Sequence, residues 1–220
     1  MAKGAQKFKY AYDLNGGNTP AVLPMDIATG TVIEAGEVVQ LSEAKVIATS
    51  GDTTAVVGVA KDPHDGSSEG QKGLTIDVYV SPTAVFRCVP ATVFTADASS
   101  GSNVIYCTAL AGVENDALNG GFVKILTNAV AADVGKVIRI TDFVKASGVL
   151  TVAGTFAVTT TTFLVFPPVG SQAFCINSDG TNLDLADDAG TVVTIVQTDP
   201  KVSESIDVMF SEHTFASVKA

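Results

Sequence analysis

Apolar residues fall along this chain in short runs separated by small polar ones, and the spacing is that of strands. Residues 30–62, GTVIEAGEVVQLSEAKVIATSGDTTAVVGVAKD, set brief runs of Val, Ile and Ala between turn-forming Gly, Ser and Asp, as small antiparallel meanders do. Residues 135–156, GKVIRITDFVKASGVLTVAGTF, repeat the style. Val137, Ile138 and Ile140 lead into a polar turn and then Val149 to Val152, which predicts a hairpin. Helical periodicity is nearly absent, and its best candidate is NAVAADVGK, residues 128–136, which Gly135 would end. Residues 147–178 carry no charged side chain, a length that raises a membrane span. Gly154, a Thr run and Pro167-Pro168 interrupt it, and its many β-branched residues predict buried strands instead.

The same pattern occurs twice. AVVGVAKDPHDGSSEGQKGLTIDVYVSPTAVF, from Ala55, and TVVTIVQTDPKVSESIDVMFSEHTFA, from Thr191, each hold a paired-Val strand, an Asp-Pro turn and a loop. Each then has an Ile-Asp-Val strand with an aromatic after it: Ile76, Asp77, Val78 and Tyr79 in one, Ile206, Asp207, Val208 and Phe210 in the other. Upstream, VVQLSEAKVIATSGD and AFCINSDGTNLDLADDAG correspond loosely as strand, turn and strand. Two copies of one β-unit, packed together, are expected. The stretch between them has its own strand rhythm and no counterpart in either copy, so it reads as an inserted β-module. The expected organisation is an extended N-terminal arm at 1–28, a two-unit β domain at 29–95 plus 171–220, and the insert at 96–170.

Composition narrows the picture. With 220 residues and 46% apolar content the chain can bury a real core, and Val, Thr, Ala and Gly without any Trp favour an all-β protein. A net charge of -10 argues against a nucleic-acid surface, because duplex binding depends on cations that neutralise phosphates. The first ten residues depart from that balance, with Lys3, Lys7 and Lys9. They precede no apolar run of the secretory kind, so the chain is expected to stay where it is made. Cys88, Cys107 and Cys175 are widely separated and match no zinc spacing, and buried free thiols are expected.

Few residues suggest chemistry. The segment DPHDG places His64 between Asp62 and Asp65, which raises a metal or acid-base site. Asp-Pro and Asp-Gly are also strong turn formers, the second copy has Val202 near the position of His64, and no nucleophile-elbow, HExxH or phosphate-loop motif is present. A solvated turn is the preferred reading. Asp77 and Asp207, alternating with apolar neighbours, are expected to face solvent or a neighbouring subunit. Asp179, Asp184, Asp187 and Asp188 lack the ordered spacing of a calcium loop, and Asn15–Gly17 and Asn119–Gly121 read as turns. Phe8, Tyr10 and Tyr12 alternate with Lys7, Lys9 and Ala11, so an extended arm would present one aromatic face and could add a strand to another chain's sheet edge.

Residues 30–86 resemble the small head decoration, or capsid cement, proteins of tailed bacteriophages. The resemblance rests on the G-x-V-V-x-L strand at Gly36 to Leu41, the VVGVA strand at Val56 to Ala60, the loop from Lys61 to Gly73, and the strand and turn from Ile76 to Pro82. Residues 118–168 are similar to β-modules of other phage virion proteins, through GG-x-V at Gly120, G-x-x-x-x-I at Gly135, G-x-L-T-V at Gly148 and F-x-V at Phe163. The resemblance implies a small β-barrel or sandwich, β-tulip-like, and a structural, non-enzymatic protein without cofactor or metal. It implies a homo-oligomer, trimeric, on the outer surface of the expanded head, bound to the major capsid protein. Lys3, Lys7, Phe8, Lys9, Tyr10 and Tyr12 of the arm are the residues expected to make that contact. The alternatives are a virion-surface or tail-associated module that contacts a host or carbohydrate, and, more distantly, a hydrolase built on His64 or His213.

Overall fold

The structure is a computed structural model, and it describes residues 7–16, 20–43, 45–49, 56–65, 75–90, 92–97, 100–156, 161–177, 180–186 and 192–210. In chain order the strands are β1 (Lys9–Asp13), β2 (Val22–Asp26), β3 (Val32–Ile33), β4 (Val38–Ser42), β5 (Lys45–Ala48), β6 (Val56–Ala60), β7 (His64–Asp65), β8 (Thr75–Tyr79) and β9 (Ala84–Cys88). They continue as β10 (Phe94–Thr95), β11 (Val104–Tyr106), β12 (Phe122–Thr127), β13 (Val137–Val144), β14 (Val149–Val152) and β15 (Thr162–Phe166). The last are β16 (Phe174–Ile176), β17 (Leu183–Asp184), β18 (Val192–Asp199) and β19 (Ser205–Phe210). Their pairings are antiparallel, and the fold is all-β.

The candidate helix at 128–136 is a single 3-10 turn, Ala131–Asp133. Asn128 Oδ1 accepts the amide of Val130 at 2.8 Å, and Gly135 follows at φ +83°, so local bonds close a turn before a helix can propagate. No helix among the described residues is long and apolar enough to cross a membrane. The uncharged stretch that raised that question forms β14, β15 and β16.

Two sheets have one design. The first runs β2-β8-β6-β4-β5 and the second β1-β9-β19-β18-β16-β17, so beyond β1 they follow one another strand for strand. The registers agree as well. Leu23 lies opposite Val78 across β2 and β8, and Ala60 lies opposite Val78; Phe86 lies opposite Val208, and Ile195 opposite Val208. Gly36, at φ +82°, donates to Ala60 O, and Ala60 donates to Glu37 O. Gly170, at φ +86°, donates to Ile195 O, and Ile195 donates to Ser171 O. Both glycines turn the chain into the sheet with a left-handed residue that a side chain resists.

Two details differ from the sequence pattern. The strand that opens the second sheet is β9, upstream of the insert, so the first copy's last residues belong to the second copy's sheet. The Asp-Pro turns are not equivalent: Asp62 stands two residues beyond Ala60, whereas Asp199 stands four beyond Ile195 because β18 is longer.

Among the described residues, strands β10 to β15 pair only with one another, in the order β10-β15-β12-β13-β14-β11. Their apolar faces nevertheless join the second sheet's core: Phe94, Phe143, Phe163 and Phe166 belong to the same buried cluster as Phe86, Phe174 and Phe210. Val39, Val46, Val57, Ile76 and Val78 form a separate cluster on the first sheet, while Val38, Val56 and Val59 reach the larger one. Strand β6 is therefore buried at every position, which is why it reads as a continuous apolar run.

Candidate functional site

The N-terminal segment does not stand free of the body. Strand β1 pairs with β9, and β2 pairs with β8, so one ribbon supplies an edge strand to each of the two sheets. Phe8 is 1% exposed and meets Phe210 and the rest of the larger core. Tyr10 stacks on Tyr79 with centroids 5.4 Å apart, and both rings lean on Phe86. The expectation of an extended arm with one free aromatic face is corrected here for residues 8–13. Burying Phe8 is worth about 2 kcal/mol in transfer alone, and the body offers a place to bury it. Lys3 lies outside the described residues.

Specific contacts fix both ends of β1. At the start, Phe8 donates to Gly36 O at 3.2 Å, and Lys7 pairs with Glu34. A Cβ on Gly36 would stand 2.5 Å from Phe8 O, so only glycine permits this approach. At the end, Asp13 accepts the hydroxyls of Ser81 and Thr83, each at 2.7 Å, and the amide of Asn15 at 2.9 Å. The Thr83 hydroxyl, more than any other partner, holds the Asp13 carboxyl below the ordinary aspartate range. A bulge between Tyr10 and Tyr12 breaks their alternation. Tyr12 thus sits beside the ion pair of Arg87 and Asp207, and burial first, then the Asp207 charge, raises its phenol pKa.

Between β1 and the first sheet runs an open groove of about 320 Å³, lined by Lys7, Lys9, Tyr10, Gly36, Lys61 and Tyr79 among others. Lys61 reaches Asp77 at 3.1 Å, a bond that raises its pKa. Lys9 is exposed and has no carboxylate partner among the described residues. Tyr79, Lys61 and Gly36 are the groove residues that sequence reasoning missed. Their distance from residues 7–10 in the chain hid them, although the aromatic following Ile-Asp-Val was visible.

The other candidates come out as follows. His64 begins the short strand β7 opposite Ile33 and is 8% exposed, so the solvated-turn reading is corrected for His64 itself, whereas Asp62 and Asp65 are exposed. Pairing with β3 carries the imidazole inward. No group of three or more His, Cys, Asp or Glu able to hold a metal occurs among the described residues. Asp179, Asp187, Asp188 and His213 lie outside them. Cys88, Cys107 and Cys175 are buried and in no disulfide, and burial pushes the Cys88 thiol up to about 12, which leaves it a poor nucleophile.

Asp207 corrects a further expectation. It is 1% exposed and accepts both Nε and Nη2 of Arg87, at 2.7 and 2.9 Å, whereas its counterpart Asp77 remains at the surface with Lys61. A bidentate guanidinium makes burial of that carboxylate tolerable. A second concavity, of about 370 Å³, lies on the insert beside Asn119, Gly120, Arg139, Ile140 and Thr141, with no aromatic ring among those residues to stack on a sugar. Comparison with protein-family models, with curated proteins and with solved structures gives no match.

Proposed function

We propose that this chain is a structural virion protein that binds the outer surface of the expanded capsid of a tailed bacteriophage and strengthens contacts between major capsid subunits. One observation carries the reading. The three strands that resemble head decoration proteins, β4, β6 and β8, are neighbours in a single sheet, and the second sheet repeats that arrangement strand for strand. The resemblance therefore falls on one structural unit and not on scattered segments.

The proposed capsid-facing surface is the ribbon of β1 and β2 with its groove. It contains Lys7, Lys9, Tyr10 and Tyr12, while Phe8 serves the core. Many modest contacts of this kind, repeated over a symmetric lattice by a trimeric protein, act as one strong attachment. Co-sedimentation of the purified protein with expanded, undecorated heads and with unexpanded heads tests the proposal. Saturable binding to expanded heads is the expected result. Absence of binding to both forms would remove the capsid as partner.

A further inference from the structure

No described residue pairs with the outward edge of β1 at Tyr10, and the register fixes which way that edge faces. Ile195 exchanges backbone bonds with Gly170 and Ser171 on the β16 side, so across β18 and β19 the facing pair Ile195 and Val208 point away from each other. Val208 then bonds toward β9, its partner Phe86 bonds back toward β19, and Tyr10, opposite Phe86, turns its amide and carbonyl outward. The neighbouring contact agrees with this. Phe8, two residues earlier on the same edge, gives its outward amide to Gly36 O. Tyr10 has no such bond among the described residues.

That edge lies along the 320 Å³ groove. Of the 13 lysines and arginines in a chain of net charge -10, three line this groove: Lys7, Lys9 and Lys61. An anionic partner is repelled by most of the molecule, and in this groove it meets three cations, of which Lys7 and Lys61 already face carboxylates. Lys61 sits at the surface with Asp77 at 3.1 Å and Asp62 at 3.9 Å, pairs that are readily exchanged; Lys7, 16% exposed, is held by Glu34, and Lys9 has no partner carboxylate among the described residues. The stacked rings of Tyr10 and Tyr79 give apolar side chains a flat surface beside the charges.

We infer that this groove receives an extended, acidic segment of the partner protein, which adds to β1 at Tyr10 as a short strand and sets carboxylates against Lys9 and Lys61. The identity of that partner as the capsid subunit rests on the function proposed above; the chemistry of the groove does not. Main-chain bonds at Tyr10 supply attachment, and the lysines supply selection by sign of charge.

The test uses the full chain and two blocked peptides, one alternating Glu with Val and one alternating Lys with Val, titrated by calorimetry at low and high salt. The Glu peptide is expected to bind saturably, about tenfold more tightly than the Lys peptide, and to weaken as salt rises. Lys9→Glu is expected to weaken it about fivefold or more with the melting temperature unchanged, since Lys9 is exposed. Equal binding of the two peptides, no binding of either, or indifference to Lys9→Glu would overturn the inference. So would Lys9-dependent self-association in sedimentation, which would assign the groove to a second copy. Heads bound while the Glu peptide is ignored would defeat this inference and leave the capsid reading standing. Peptide bound while heads are ignored would do the reverse.

Discussion

The ring of Phe8 meets the ring of Phe210 edge-on, centroids 5.5 Å apart and planes at 69°, so the first described strand and the last close the same side of the core. Phe8→Ala is therefore expected to cost about 3–5 kcal/mol, read from the midpoint of urea unfolding. A chain that starts at Leu14 loses β1 entirely and should be less stable still. A midpoint unchanged by Phe8→Ala would contradict the placement of the ring. Removing the whole N-terminal segment is thus a poor test of binding, because it damages the body as well as the surface.

Asp207 and Asp77 occupy the same place in two equivalent sheets with different surroundings. Arg87→Met leaves the Asp207 carboxylate buried without its cation and should cost about 2 kcal/mol, less than for a fully enclosed pair because Arg87 is half-exposed. Lys61→Met, the counterpart at the surface, should leave the unfolding midpoint where it is. Adding Asp207→Leu to Arg87→Met should restore much of the loss. Equal effects at the two sites would contradict the burial of Asp207.

Acid should weaken the fold through Asp199 and Asp13. The Asp199 carboxylate accepts the amides of Ser203, Val202 and Lys201 and the Ser203 hydroxyl, and these bonds hold its pKa at about 2. An unfolded aspartate titrates near about 3.9. The folded value lies below the unfolded one, so this stabilisation is complete above about pH 4 and is lost as pH falls toward about 2. Asp13 is shifted in the same direction. Asp199→Asn should melt lower at neutral pH and lose less between about pH 5 and pH 2 than the unmodified chain. Parallel melting profiles would count against the Asp199 turn.

Pro24 protects the outer edge of β2, which pairs with no further strand at that position among the described residues. Asp77 O accepts Lys61 N, so Asp77 bonds toward β6, and Pro24 opposite it turns outward, where its missing N–H denies a donor to any incoming strand. In the second sheet the equivalent edge, on β9, is covered by β1. Pro24→Val restores the donor beside the exposed Leu23 and should add larger species in sedimentation velocity. An unchanged distribution would mean that something other than Pro24 keeps this edge apart.

Much of the architecture could be read along the chain. Val38-Val39, the VVGVA run and the two Ile-Asp-Val segments carried the strands and the repeat, because a period of two and turn-forming glycines are local properties. What was not legible depended on distant partners. Arg87 and Asp207 are 120 residues apart, so the buried pair left no local mark, and an aspartate alternating with Ile206 and Val208 reads as a surface residue. Phe8 among lysines looks the same whether its strand extends into solvent or covers a core. His64 reads as part of a turn until Ile33 is known to lie opposite it.

The central claim is a place on the outside of a phage head, and a difference map from electron cryo-microscopy tests it most directly, comparing expanded heads with and without the purified protein. The account predicts added density on the outer surface at sites repeated over the capsid lattice, unchanged by His64→Ala. Density confined to the tail, or no added density at saturating protein, would contradict it.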